Sequence, residues 1–377
     1  MTLKILFVSN TAGFAKFNIP LIKHLKSLGF LVDYASSGEI PIPVCDNSFS
    51  INIARTPFSI KNYFGYWELK TLVKINGYAV IHCHTPTGAL LARLAARKTN
   101  AKIIYTAHGF HFYKGAPFFY WLFFYLAEKY LAKYTDCLIT LNREDYLLAR
   151  KKFNIPIIKM IDGVGIDLTR FHPVTAAKKQ TIRKSYNHNP SQFIILYTAE
   201  LIPRKNHRWF INRLDALKKE IPGLKIIFAG TGGLGDKLVK LIKRKGLQGI
   251  VDFAGYRHDI EFFYQLADIH VSASRQEGLS VNNIEAMASG IPVVASKIRG
   301  HTDTIRQERN GFLFSLSRPQ EMIDAVVRLY RDPRLRAGIA RNNRSDAARF
   351  SEKRITKQIL ECYYQVLASQ AFPACLQ

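Results

Sequence analysis

The polarity of the chain alternates between two periods. Short apolar runs of strand length are separated by segments whose apolar residues recur at helical spacing. In the first half, KILFVSN (4–10), LVDYASS (31–37), YAVIHCHT (78–85), AKIIYTAH (101–108) and DCLITLN (136–142) read as strands. Phe14 to Leu28 reads as a helix closed by Gly29, and another helix is expected from Arg143. Alternation of this kind predicts a mostly parallel sheet covered by helices on both faces.

The pattern then stops and restarts. IDGVGIDLTRFHP (161–173) is rich in glycine, ends in proline and precedes a polar, basic stretch to Gln192, so it reads as an interdomain linker. FIILYTA (193–199), LKIIFAG (224–230), IVDFAGY (250–256), ADIHVSAS (267–274) and IPVVAS (291–296) are the expected strands of a second α/β domain, and 318–368 reads as successive helices. Two domains are also the default for 377 residues. Two facing doubly wound domains should hold ligands where the strand C-termini of both halves meet.

Charge adds a constraint. Fifty-four Lys+Arg against 28 Asp+Glu give +26, a field that attracts nucleic acid, anionic lipid or phosphate-rich substrates. No nucleic-acid-binding module or RNP-like aromatic motif is present, which argues against the first of these. The cysteines (Cys45, Cys83, Cys137, Cys362, Cys375) are odd in number, and none lie at CxxC spacing. Neither a disulfide framework nor a zinc site is indicated, which suits a reducing compartment. MTLKILFVSN reads as a strand rather than a signal peptide, and no apolar stretch reaches the roughly 20 residues of a spanning helix. A cytoplasmic protein, soluble or peripheral, is expected.

The most specific string is Glu277-Gly-Leu-Ser-Val-Asn-Asn-Ile-Glu285-Ala-Met-Ala-Ser-Gly290-Ile-Pro292. Gly278 permits a close turn, Ser280 is a good N-cap, and a helix from about Val281 to Ser289 is stopped by Gly290 and Pro292. The N-terminus of such a helix suits a phosphate, while Glu285, one turn in, is better used on neutral hydroxyls. A second string, Ala199-Glu-Leu-Ile-Pro-Arg204-Lys205-Asn206-His207, follows a strand and projects its cations at the strand's C-terminal end.

The first string resembles the Glu-x7-Glu signature of the retaining glycosyltransferases of family 4. The order of elements over nearly the whole chain is similar as well, including RGHTDTI and NGFLF downstream. The resemblance implies the GT-B fold, an α/β architecture of two Rossmann-like domains around an interdomain cleft. Residues 1–168 would hold the acceptor, with the helix 351–377 packing back on them, and residues 169–350 the nucleotide sugar. By resemblance, Glu285 binds the donor ribose and Glu277 lies near the transferred sugar. Backbone amides around Gly278, Leu279, Ser280 and Val281 hold the diphosphate and sugar hydroxyls. Lys205, with Arg204, is the diphosphate-binding cation; Glu200 stands where many members carry Arg. The turn at Gly255, Tyr256 and Arg257 holds the base, largely through backbone atoms. His108, in Thr106-Ala-His108-Gly-Phe-His, lies near the transferred sugar, and Thr11, Gly13 and Phe14 form the acceptor-side loop.

Gly230-Thr-Gly232-Gly-Leu-Gly235 matches a dinucleotide fingerprint. It sits mid-domain, with Asp252 at the beginning rather than the end of the next strand, so nicotinamide binding is not expected. His82 and His84 share one strand face without a third ligand nearby, which favours packing for His82 and cleft lining for His84 over a metal. No Asp-x-Asp occurs, so no metal cofactor is expected, and Lys205, Arg204 and the helix N-terminus would neutralise the departing UDP. The implied activity is transfer from a UDP-sugar, UDP-N-acetylhexosamine or UDP-galactose by resemblance to capsule and exopolysaccharide enzymes, to a lipid-diphosphate-linked saccharide. A UDP-sugar epimerase of the same architecture and a basic nucleic-acid-binding protein are the alternatives.

Ala116 to Ala127 begins at Pro117, a good first helical residue. As a helix it is apolar all round, with Phe119, Trp121 and Phe123 among its aromatics, and it is too short to span a bilayer. With Lys129 and Lys133 following, it is expected to dip into an anionic membrane surface, on the inner face of the plasma membrane.

Overall fold

In the computed structural model, residues 2–38 and 42–368 are described; the end of the expected 351–377 helix and Cys375 lie outside them. The chain divides into two units. One runs from the N-terminus to Gly165 and takes in Glu352 onward; the other is Ile166–Ser351.

The apolar runs of the first unit form β1 (Lys4–Val8), β2 (Leu31–Ser36), β3 (Asn47–Ser50), β4 (Val80–His84), β5 (Lys102–Ala107), β6 (Cys137–Thr140) and β7 (Ile157–Met160). They lie in the order β3-β2-β1-β4-β5-β6-β7, and every pairing is parallel. Such strands are buried on both faces, and Ile5, Leu6, Phe7 and Val8 are all fully buried. The order reverses between β1 and β4, the place where an open α/β sheet leaves a crevice beyond its strand C-termini. The helix Glu352–Leu367 packs against β5, β7 and the helix Ile19–Ser27.

The second unit holds β8 (Phe193–Thr198), β9 (Leu224–Ala229), β10 (Val251–Gly255), β11 (Ile269–Ser272), β12 (Val293–Ser296) and β13 (Gly311–Phe314). Their order is β10-β9-β8-β11-β12-β13, again all parallel, with the reversal between β8 and β11.

Several local expectations are corrected. The stretch 14–28 is not one helix: a 3₁₀ turn Ala12–Phe17 meets the α-helix Ile19–Ser27 at Asn18. Pro20 lies in the first turn of the second piece, where its missing N–H is harmless, so a new helix starts there. The basic stretch after the linker is not featureless. It contains the helix Ala176–Ser185, with Thr175 accepting from the Lys178 amide. Within it Lys179 and the buried Arg183 both pair with Asp268, at 2.8 and 2.7 Å.

Candidate active site

In the second unit the two motif strings leave neighbouring strands at the reversal point. After β8, Pro203–Lys205 form one 3₁₀ turn that ends at Asn206 in the left-handed region, φ 60°. Asparagine tolerates that conformation better than most residues. The turn is laced to the segment after β11: the Arg275 amide donates to Arg204 O at 2.9 Å, and Arg275 Nε to Asn206 Oδ1 at 3.2 Å. The Tyr197 hydroxyl donates to Lys205 O and accepts from the Ala273 amide.

This lacing brings Arg204, Lys205 and Glu277 together. Lys205 Nζ lies 2.5 Å from Glu277 Oε1, and Arg204 Nη1 lies 2.9 Å from Oε2. Glu277 is buried. Burial pushes its carboxyl up, but the fields of Lys205 and Arg204 outweigh that and hold it below the usual carboxylate range. Two cations on one carboxylate leave a net positive charge at the C-terminal edge of the sheet. Glu200 is exposed, and among the described residues it is in no ion pair.

The helix Val281–Ala288 follows immediately. Ser280 occupies its N-cap position, yet its side chain makes no capping bond. Gly300 explains the tight path of Gly278: a Cβ at Gly300, φ +81°, would stand 2.9 Å from Gly278 O. Glu285 accepts from the Tyr264 hydroxyl at 2.8 Å, which also donates to Asn282 O at 3.2 Å. No sequence signal marks buried Tyr264 as a partner.

Tyr256 is 62% exposed at the end of β10. Arg257 pairs with Asp259, Nη2 to Oδ2 at 2.6 Å and Nε to Oδ1 at 2.8 Å, so its guanidinium is already engaged. Arg257, against the cost of burial, holds the Asp259 carboxyl at about 2. The glycine loop after β9 is shaped by its own chain. A Cβ at Gly230 would stand 2.0 Å from Ala199 O, and one at Gly232 2.7 Å from Leu201 O. These glycines admit the motif segment after β8.

In the first unit His108 follows β5, half-buried. Its Nε2 lies 3.1 Å from His84 Nδ1, and Phe14 meets its ring edge-on at 4.6 Å between centroids. His84 is buried rather than lining a cleft, and its Nε2 has no hydrogen-bond partner among the described residues. The ring of His82 lies 4.4 Å from that of His84, and its two nitrogens reach Tyr363 and Thr106 at 3.0 and 2.8 Å. Desolvation pulls His108 down to about 4 and, with the His108 field, His82 to about 3. His82 and His108 are therefore neutral at ordinary pH, and burial, with the fields of its two neighbours, holds His84 well below the usual histidine value as well. Thr11 and Gly13 are exposed beside Phe14.

The aromatic segment is Phe118–Tyr120, a π-helical turn Trp121–Tyr125 and Leu126–Leu131; Pro117 precedes it as the cap. Phe119 and Phe123 are 53% and 55% exposed. Trp121 is not: it lies half-buried against Phe112, 5.6 Å between rings, in the core of the unit. Among the described residues no helix is long and apolar enough to cross a membrane.

Residues 4–142 match the glycosyl transferase 4-like domain and residues 178–346 the group 1 glycosyl transferases. EpsD of Bacillus subtilis (strain 168), a protein assigned as a glycosyltransferase, is 39% identical over 369 residues, 96% of this chain and 97% of that protein. The UDP-Gal:alpha-D-GlcNAc-diphosphoundecaprenol alpha-1,3-galactosyltransferase of Escherichia coli is 27% identical over 323 residues, 84% of this chain and 81% of that one. The crystal structure of Anabaena HepE in complex with UDP superimposes with a TM-score of 0.80 at 20% identity, covering 97% of this chain and all of that one. Both halves match in chain order and a 39% identical relative aligns almost end to end, so the chain belongs to the glycosyltransferases of the GT-B fold.

Proposed function

We propose that this glycosyltransferase moves a sugar from a UDP-sugar onto a lipid-diphosphate-linked saccharide, with retention and without a metal. The product would serve exopolysaccharide, capsule or lipopolysaccharide assembly at the cytoplasmic face of the membrane. The observation that carries the reading is the pairing of Arg204 and Lys205 on Glu277 beyond β8 and β11. The net positive charge there suits a leaving diphosphate, whose charge grows as the bond from the anomeric carbon to the phosphate oxygen breaks. The acceptor hydroxyl attacks on the leaving-group face, and its proton passes to the departing phosphate oxygen. Glu285, set by Tyr264, takes the ribose hydroxyls; His108, set by His84, faces the transferred sugar. The E. coli relative is named for a UDP-galactose donor and a diphosphoundecaprenol-linked acceptor, and HepE was solved with UDP. UDP-galactose and UDP-N-acetylhexosamine are the first donors to try.

Membrane association would come from exposed Phe119 and Phe123, followed by Lys129 and Lys133, each cation adding about 1 kcal/mol near an anionic leaflet. Screening UDP-sugars for UDP release in the presence of a membrane lipid extract tests the whole reading. UDP release that requires the lipid supports it. Conversion of the UDP-sugar without UDP release would make the protein an epimerase instead.

A further inference from the structure

The first unit contains a cavity of about 870 Å³, lined in part by Thr11 and Phe14 of the expected acceptor-side loop. It is within the roughly 300–1,000 Å³ range of small-molecule sites. Its lining includes the hydrocarbon side chains of Phe58, Leu90, Phe123, Phe124 and Leu131. It also includes polar residues, Asn10 and Thr11 after β1, Thr85 after β4, and Arg55. It therefore sits at the reversal point of its sheet.

Of the apolar lining, Phe58 is 79% and Phe123 55% exposed, their rings 6.2 Å apart. Exposed Ile60, Phe64 and Phe119 extend that surface from the same two segments. Phe14 also lines the cavity, and its ring touches His108. Thr85 is held at φ 62°, an uncommon conformation for a β-branched residue, with its hydroxyl accepting from the Asn10 amide at 3.1 Å.

Charge distinguishes the occupant. The one carboxylate on the lining, Glu128, is neutralised by Arg93 at 2.8 Å and also accepts from the Tyr105 hydroxyl. Arg55 is exposed and in no ion pair among the described residues. The positive end of the helix Pro86–Ala96 opens beside it. The cavity thus combines an unpaired cation and polar groups with hydrocarbon walls, two of whose aromatic rings are exposed.

We propose that this cavity holds the diphosphate and the first length of hydrocarbon chain of a lipid diphosphate, which is the anchor of the acceptor. This rests on the lipid-linked reading above and assigns it a site. The diphosphate lies against Arg55, Thr85 and Asn10; the chain leaves between Phe58 and Phe123; the attached sugar points past Phe14 to His108.

Farnesyl diphosphate is the probe, titrated calorimetrically into the full chain beside inorganic diphosphate, farnesol and UDP. Farnesyl diphosphate should bind at least tenfold more tightly than either of its halves. Ala127→Trp places a large ring into the cavity from an exposed helical position and should weaken it at least tenfold. Arg55→Gln should weaken farnesyl diphosphate and leave farnesol unchanged. UDP affinity and the melting temperature should not move in either variant. Equal binding of inorganic diphosphate, or of farnesol, overturns the proposal, as does an Ala127→Trp variant that binds normally. Loss of farnesyl diphosphate binding by the wild type with UDP binding retained overturns this site alone; loss of both overturns the transferase reading with it.

Discussion

Lys205 Nζ and Glu277 Oε1 stand 2.5 Å apart, joining the ends of two strings separated by 72 residues in sequence but carried on adjacent strands. The carboxylate is the more deeply buried partner, and Arg204 holds its second oxygen. The pair can lose one cation and still leave Glu277 compensated.

Lys205→Ala should therefore fold and still bind UDP, but turn over about a hundredfold more slowly. Removing a donor aimed at developing charge costs ~3 kcal/mol in the transition state. Steady-state kcat with the identified UDP-sugar checks this, and near-normal kcat would leave Lys205 a structural cation.

Glu285→Gln should weaken UDP itself about tenfold, the loss of ~1.4 kcal/mol. Tyr264→Phe should act in the same direction, because its hydroxyl orients the carboxylate at 2.8 Å. The double variant should lose less than the sum of the two, since both act through one contact. Calorimetry with UDP measures all three; unchanged affinity in a folded Glu285→Gln removes the ribose assignment.

The buried histidines set an acid limit. His82, at about 3, and His108, at about 4, lie below the ordinary ~6.5 of an unfolded histidine. The unfolded chain thus takes up protons that the native state refuses. Their contribution is complete above about pH 6.5 and is lost as pH falls towards those values, with a slope approaching ~1.4 kcal/mol per pH unit for His82. Glu277 acts in the same sense at lower pH, its stabilisation lost as pH falls through its depressed value. Urea unfolding between pH 4.5 and 7.5 should show this slope, and His82→Gln should flatten it. An unchanged slope in His82→Gln would place the acid sensitivity elsewhere.

Transfer should persist in EDTA, because the sequence has no Asp-x-Asp pair and Lys205 and Arg204 can take the metal's electrostatic role. Activity abolished by EDTA and restored only by Mn²⁺ or Mg²⁺ would replace this mechanism with a metal-assisted one.

Phe119→Ser with Phe123→Ser should release the protein from anionic vesicles at low salt while leaving UDP binding intact. Both side chains are more than half exposed, so the double variant should keep its melting temperature. Co-sedimentation with vesicles is the measurement, and undiminished binding would move the membrane contact elsewhere.

The strongest elements were legible because their signals are local. β8 and β12 are nearly unbroken apolar runs and β9 is one from Ile226 onward, and the helix after Glu277 announces itself through Gly278, Ser280 and Gly290. β3 and β7 were missed: three of the four residues of NSFS are polar and IIKM is only partly buried, so neither carries the pattern of a central strand. Of the site, Arg204, Lys205, Glu277 and Glu285 could be named from motif spacing. Their partners could not. Tyr264 lies in IEFFYQL, where any aromatic would satisfy the helical period, and only the packed structure turns its hydroxyl to Glu285. Trp121 failed differently, because an all-apolar helix hides which face meets the core.

The bond between His82 and Tyr363 spans 281 residues. The helix that carries Tyr363 is made by the ribosome only after every strand of the second unit. The usual order of co-translational folding, first domain first, is inverted here: the second unit can finish while the first still lacks the helix that covers β5 and β7. A nascent or truncated chain ending before Glu352 leaves His82 without its Tyr363 partner and the face of a parallel sheet open to water. Such a fragment should depend on chaperones and fail to express alone as a soluble acceptor domain. Placing residues 352–368 ahead of β1 by circular permutation would restore the conventional order.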